Sequence, residues 1–149
     1  MEVYLKENGR RGGRGHKEIG EHIEMITKEQ YLEAVNRIAE SVYSFHDRFE
    51  IPQLNIYGDT DEVILKVLSS RLVLQMEELG EFSQAVSKSY WFDAALEATD
   101  VLFVALGTVL SLGESGNVTC KIVVEKNDNK TLVNSKVSAG GKAVNSVRS

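Results

Sequence analysis

Five carboxylates in the middle of this 149-residue chain stand in or beside positions where apolar residues are expected. In RLVLQMEELGEFSQAV, residues 71 to 86, the apolar residues recur at helical spacing, yet Glu77, Glu78 and Glu81 fall within a turn and a half. Farther on, AALEATDVLFVALGTVLSL, residues 94 to 112, is apolar nearly all round, and its only charged residues are Glu97 and Asp100. Three apart, these two share a helix face, about 5 to 6 Å from each other at Cβ. On a wheel of about 100° per residue, Leu68, Leu72, Met76, Leu79 and Val86 form the stripe expected to face the core. A second stripe holds Val63, Val67, Leu74 and Ala85, with Glu78 and Glu81 inside it. Unpaired charge in so partly covered a place is expensive. Glu78, Glu81, Glu97 and Asp100, facing inward from two neighbouring helices, would repel one another unless something positive lay between them, and the simplest such thing is a metal ion. Oxygen donors without thiolate or imidazole suit Mg²⁺ or Mn²⁺. A di-iron bundle needs Glu-x-x-His motifs, and His16, His22 and His46 lie in none. For Glu77 alone a solvated surface position is the plainer reading.

The elements that must position these acids are helices. Thr27 and Gln30 make a capping-box pattern, followed by Tyr31, Val35, Ile38, Val42, Phe45 and Phe49 along one face, and Pro52 closes this first helix. Asp59 or Thr60 can cap a second helix over 61 to 88. A third is predicted from Trp91 to Gly113, where a glycine suits a left-handed cap, and a short fourth over Val118 to Lys130, after a Gly116-Asn117 turn. No alternating strand pattern interrupts them, so the fold class is an all-α, four-helix-bundle-like domain over residues 23 to 131.

Two segments fall outside that domain. Residues 1 to 22 contain KENGRRGGRGHK, a basic arm expected to be flexible, and 132 to 149 form a small, polar, flexible tail. The arm's glycines lack the preceding strand and the Gly-Lys-Ser/Thr of a phosphate loop; an RNA or anion contact by Arg10, Arg11 and Arg14 is the minor alternative. A net charge of −5 argues against a general nucleic-acid binder. The single cysteine, Cys120, excludes an internal disulfide and points to a reducing, cytoplasmic setting. No secretory signal pattern opens the chain. The apolar run Val101 to Leu112 falls short of the ~20 residues that span a bilayer, so no membrane partner is expected.

Glu78-x-x-Glu81, fifteen residues, then Glu97-x-x-Asp100 resembles the signature of the MazG-like all-α nucleoside triphosphate pyrophosphohydrolases. Glu77 extends the likeness to the E-E-x-x-E form, and VVEKNDNKT, residues 123 to 131, is similar to the family's later Lys/Asn segment. The resemblance covers residues 61 to 131. It implies a MazG-type fold and hydrolysis of a (d)NTP to monophosphate and pyrophosphate, in nucleotide-pool house-cleaning. It implies Glu78, Glu81, Glu97 and Asp100 as Mg²⁺ ligands, with Mn²⁺ as a possible substitute, and a water oriented or deprotonated by Glu77 or a neighbouring acid such as Glu78 or Glu81. It also implies phosphate contacts by Lys126 and Lys130 with Asn127 as their polar partner, and a site completed by neighbouring subunits. Trp91 and Phe92 seal the core or, as the lesser reading, stack on a base.

A helix apolar on all sides cannot be covered by three others from one short chain, so a homodimer or dimer of dimers is expected. Two alternatives stand beside the main reading. One is a phosphoribosyl-ATP pyrophosphohydrolase, which shares the acidic motifs. The other is a non-catalytic oligomerisation module whose acids form salt bridges, for which basic partners near the third helix are scarce: Lys88 precedes it and Lys121 follows it, with none between.

Overall fold

Residues 25–131, 134–138 and 140–145 are described in a computed structural model of the chain; the expected basic arm, residues 1 to 22, lies outside the described residues. Four helices follow one another: α1 (Lys28–Arg48), α2 (Asp61–Ser87), α3 (Trp91–Ser111) and α4 (Glu114–Asp128). The capping box closes at α1. There the Thr27 amide donates to Gln30 Oε1 at 2.9 Å and the Gln30 amide to Thr27 Oγ1 at 3.2 Å. Thr60 caps α2 by accepting from the Val63 amide at 3.4 Å, which satisfies one of the free donors of the first turn. Asp59, the other candidate, instead accepts from the Asn55 amide at 2.7 Å and shapes the connecting loop.

Packing centres on α3, which touches α1, α2 and α4, while α2 and α4 make no contact with each other among the described residues. Val42 of α1, Leu54 of the connection, Ala85 and Ala94 are the buried apolar residues. Phe45 meets Phe103 edge-on with ring centroids 6.0 Å apart, an arrangement that aromatic quadrupoles favour. The Leu54 amide donates to the Ser111 carbonyl at 2.7 Å and ties the α1–α2 connection to the end of α3. Gly113 then turns the chain into α4 with φ 57°, a conformation in which a side chain would be strained. An added Cβ there would stand 2.8 Å from the Leu54 carbonyl oxygen.

Three sequence expectations are corrected by this arrangement. The fourth helix begins at Glu114, so Gly116-Asn117 is not a turn but lies inside it; the bare α-carbon of Gly116 lets the helix sit against the Val109 carbonyl. The stripe assigned to the core on α2 is not the one that packs on α3. Leu72 and Met76 are 61% and 64% exposed, and Leu79 and Val86 are also exposed, while Ile64, Val67, Leu68, Arg71, Gln75, Glu78, Phe82 and Ala85 form the covered face. Apolar content alone chose the wrong face, because the packed one carries polar residues that find partners on α3. Finally, α3 is half-buried or buried from Val101 to Ser111 but mostly exposed from Trp91 to Asp100, so it is not enclosed on all sides.

Two further differences concern length and the tail. As formed, α3 has 21 residues and is long and apolar enough to cross a membrane by length and composition, unlike the shorter run considered above. It contacts three other helices and carries three carboxylates, Asp93, Glu97 and Asp100, as the central helix of a bundle can. The tail holds a small antiparallel ribbon, β1 (Ser135–Val137) with β2 (Ala143–Asn145), pairing Lys136 with Val144.

Candidate metal centre

The connection Lys88 to Tyr90 is short, so α2 and α3 run antiparallel as neighbours. Ser89 takes φ 57°, the left-handed conformation that lets the chain reverse so tightly. The Tyr90 amide donates back to the Ala85 carbonyl at 3.0 Å. From this turn the two helices diverge in sequence but stay in register. Gln75 Nε2 donates to the Val101 carbonyl at 3.2 Å, and Arg71 Nη2 to the Val104 carbonyl at 2.7 Å. Arg71 Nε also reaches Thr108 Oγ1 at 3.2 Å.

Arg71, Gln75 and Glu78 are spaced i, i+4, i+7 and share the face of α2 turned to α3. That spacing is visible in the sequence, but a stripe of polar residues does not announce a packed face there, and Arg71 and Gln75 are site residues that sequence reasoning misses. Their hydrogen bonds to α3 carbonyls set how far along α3 the following carboxylates fall. Gly107 makes room for the arrangement, since an added Cβ would stand 2.5 Å from Arg71 Nη2 and 2.9 Å from His46 Nε2. His46 is buried, and its Nδ1 has no hydrogen-bond partner among the described residues. Burial together with the Arg71 charge lowers its pKa, and burial lowers that of Arg71 as well.

One step nearer the turn, Glu78, Glu81 and Glu97 each offer an oxygen, and these oxygens lie within 4.8 Å of one another. Glu78 and Glu97 are half-buried and Glu81 is exposed. Asp100 is exposed, a correction to the expectation that all four acids face inward: a spacing of three puts it on the same side as Glu97 but at the margin. It is near enough to act on the others. Burial raises the pKa of Glu78, helped by the charges of Asp100, Glu81 and Glu77. Glu97 is raised by burial first, then by Glu81, Asp100 and Glu78, and by a hydrogen bond with Glu81.

Among the described residues no basic group forms an ion pair with these acids. Among the described residues the one ion pair is Arg37 with Glu33, one turn apart on α1. An oxygen-only set that converges, repels and lacks a cationic partner among the described residues fits a hard divalent cation of the Mg²⁺ type. Beside it opens a cavity of about 350 Å³ lined by Gln84, Ala85, Lys88, Tyr90 and Asp93, with Glu81 and Glu97 on its wall. A larger cavity, about 570 Å³, lies between the 53–57 loop and the start of α4; its lining is largely apolar, and its one carboxylate, Glu114, has no clustered partner. Chemistry therefore assigns the site to the smaller cavity, not to the larger one.

The other expected site residues are not brought to this cavity. Glu77 is exposed on α2 beside the cluster. Lys126 and Asn127 are exposed on the last turn of α4, and Lys130 follows it, its Nζ donating to Asn127 Oδ1 at 2.7 Å. Asn127 Nδ2 in turn donates to the Val123 carbonyl at 2.8 Å. Trp91 and Phe92 are 68% and 76% exposed, so neither seals the core. Comparison of the chain with family models, with curated proteins and with solved structures finds no match in any of the three.

Proposed function

We propose that this protein is a metal-dependent nucleoside triphosphate pyrophosphohydrolase. The observation that supports this most is the convergence of Glu78, Glu81 and Glu97 from two antiparallel helices, oxygens within 4.8 Å, with no ion pair to any cation among the described residues. Glu78, Glu81 and Glu97, with Asp100 at the margin, would hold Mg²⁺. The ion would neutralise both the acids and the phosphates of a bound (d)NTP and orient the two toward each other.

The chain's own residues have separate tasks in this reading. Glu77, outside the three-oxygen group, is free to take a proton from the attacking water. The water oxygen bonds to phosphorus as the bond to the oxygen bridging the α- and β-phosphates breaks, and pyrophosphate leaves with that oxygen. The cavity at Lys88 and Tyr90 provides room beside the cluster for the substrate. Lys126, Asn127 and Lys130 supply phosphate contacts from a neighbouring subunit of a homodimer or dimer of dimers. The many exposed apolar side chains on all four helices favour such an assembly.

A panel of ribo- and deoxyribonucleoside triphosphates with Mg²⁺ or Mn²⁺, read by pyrophosphate release, tests the proposal. Monophosphate and pyrophosphate in equal amounts from at least one nucleotide is the expected result. Orthophosphate as first product, or no turnover of any nucleotide by the assembled protein, would contradict it. A panel in which only phosphoribosyl-ATP is hydrolysed would move the substrate to the alternative named above. Absence of both turnover and metal binding would favour the interaction module, a reading that the lack of basic partners among the described residues weakens.

A further inference from the structure

Among the described residues His46 is the buried ionisable side chain that the proposed reaction leaves idle, and only 5% of it is exposed. From α1 it reaches Gly107 of α3, where an added Cβ would stand 2.9 Å from His46 Nε2 and 2.5 Å from Arg71 Nη2. The imidazole and the guanidinium thus meet over the glycine. Beside a guanidinium, which only donates, Nε2 is the nitrogen that keeps its lone pair, so the proton of the neutral ring sits on Nδ1. That Nδ1 has no hydrogen-bond partner among the described residues, and neither has Ser111 Oγ, one turn beyond Gly107 on α3. Two buried polar groups left unpaired in one seam make its packing costly.

His46 also lines a cavity of about 320 Å³ whose other walls are Tyr43, Asp47, Glu50, Ile51, Gln53 and Leu110. Asp47 and Glu50 are exposed there, and neither is in an ion pair among the described residues. Charge around the ring is therefore divided by side. Arg71 comes from α2, α3 carries no charged residue between Val101 and Ser111, and the α1–α2 connection contributes the neutral Gln53. On α1 itself Arg48 is drawn aside over the rings of Phe45 and Phe49, 6.0 and 5.4 Å from their centroids, which leaves Asp47 and Glu50 as the charges bordering the cavity. Burial first, and the Arg71 charge second, lower the pKa of the ring in its present place.

We propose that His46 is a pH-operated switch with two positions in the α1–α3 seam: neutral, its ring lies over Gly107 beside Arg71; protonated, it turns into the cavity and pairs with Asp47 and Glu50. The inference is independent of the nucleotide chemistry and of assembly. Protonation makes both ring nitrogens donors and sets a second cation against Arg71, on a side that no carboxylate faces. The cavity offers the reverse, with two anions, water and room for a ring. Rotation about χ1 carries an imidazole from one staggered well to another without moving the helix backbone. Departure of the ring leaves a gap beside Gly107 and loosens the end of α1 from α3, while Arg71 and Gln75 still hold α2 to the α3 carbonyls. Acidification below about pH 6.5 thus acts on α1 and spares the register of the acid cluster.

Histidine NMR on the full chain tests the proposal, in a background of His16→Gln and His22→Gln that leaves His46 as the one imidazole. The ring is expected to titrate below the ordinary value of about 6.5. At about pH 7.5 it should show nuclear Overhauser contacts to the Gly107 α-protons, replaced at about pH 5 by contacts to the Asp47 and Glu50 methylenes while the amide spectrum stays dispersed. Asp47→Asn combined with Glu50→Gln, both at exposed positions, should move the titration midpoint down by about 0.5 pH or more. A charged ring that keeps its contacts to Gly107 would overturn the inference. So would a midpoint at or above the ordinary value, a midpoint that the paired substitution leaves unchanged, or unfolding of the whole chain in the same step.

Discussion

Glu97 shows what the acid cluster costs the protein without a cation. Burial and three neighbouring carboxylates raise its pKa, so the folded state holds a proton to higher pH than the unfolded state does. Above the ordinary carboxylate range the group therefore works against folding, and that penalty fades as pH falls through the folded pKa. We expect metal-free Glu97→Gln to melt at or above the wild-type temperature at pH 7, with the gap closing toward pH 5. Comparing the two proteins removes the opposite contribution of His46, whose lowered pKa makes stability fall as the solution drops below about pH 6.5. A gap that widens on acidification would contradict this reading of Glu97. With Mg²⁺ and a substrate, the same substitution is expected to reduce turnover by about two orders of magnitude or more, since an amide replaces an anionic ligand. At this scale much was legible. The spacing within Glu78-x-x-Glu81 and Glu97-x-x-Asp100 was enough to bring three of the four acids together, because helical periodicity fixes direction. Depth was not legible for Asp100, nor were Arg71 and Gln75, whose polar side chains are not expected on a packed face.

At the scale of elements, the α2–α3 pair is a register device held at one end by a tight reversal and along its length by hydrogen bonds to α3 carbonyls. Ser89 adopts φ 57° at the reversal. That conformation costs a non-glycine residue on the order of 1 kcal/mol. Ser89→Gly should therefore raise the unfolding free energy by several tenths to about 1 kcal/mol in a denaturant titration. A loss of stability would mean that the Ser89 side chain has a role not seen in its contacts. Gly107→Ala should do the reverse, by about 2 kcal/mol, as overpacking and a lost hydrogen bond add up. The new methyl would displace Arg71 from the Val104 carbonyl or His46 from its packing. Unchanged stability would show that Arg71 moves aside freely. Helix number and three of the four starting points followed from caps and periodicity. The start of α4 did not, because Gly-Asn usually signals a turn and here the glycine serves close packing against Val109. Face choice on α2 failed for a related reason: two apolar stripes compete, and a sequence does not say which one its own chain covers.

On the scale of the whole molecule, the described residues bury few apolar side chains and expose many, and in the proposed reading this is half of a packing problem, as the acid cluster is half of an electrostatic one. A second copy of the chain answers the first in this account and a divalent cation the second. The all-α architecture could be read from the sequence because caps and a 3.6-residue period act locally. The ribbon in the tail could not, since two strands of three residues leave no pattern to read. The central claim is that the carboxylates of α2 and α3 exist to hold a metal ion, and thermal melting of wild type and Asp100→Asn with and without Mg²⁺ tests it most directly. Asp100 is the useful site because it is exposed, so its replacement removes charge from the cluster without disturbing the packed face. The expected result is a metal-free variant at least as stable as wild type, a clear rise in melting temperature for wild type on adding Mg²⁺, and a smaller rise for the variant. A metal-free variant that is clearly less stable, with the same response to Mg²⁺ as wild type, would contradict the account and make Asp100 a structural residue.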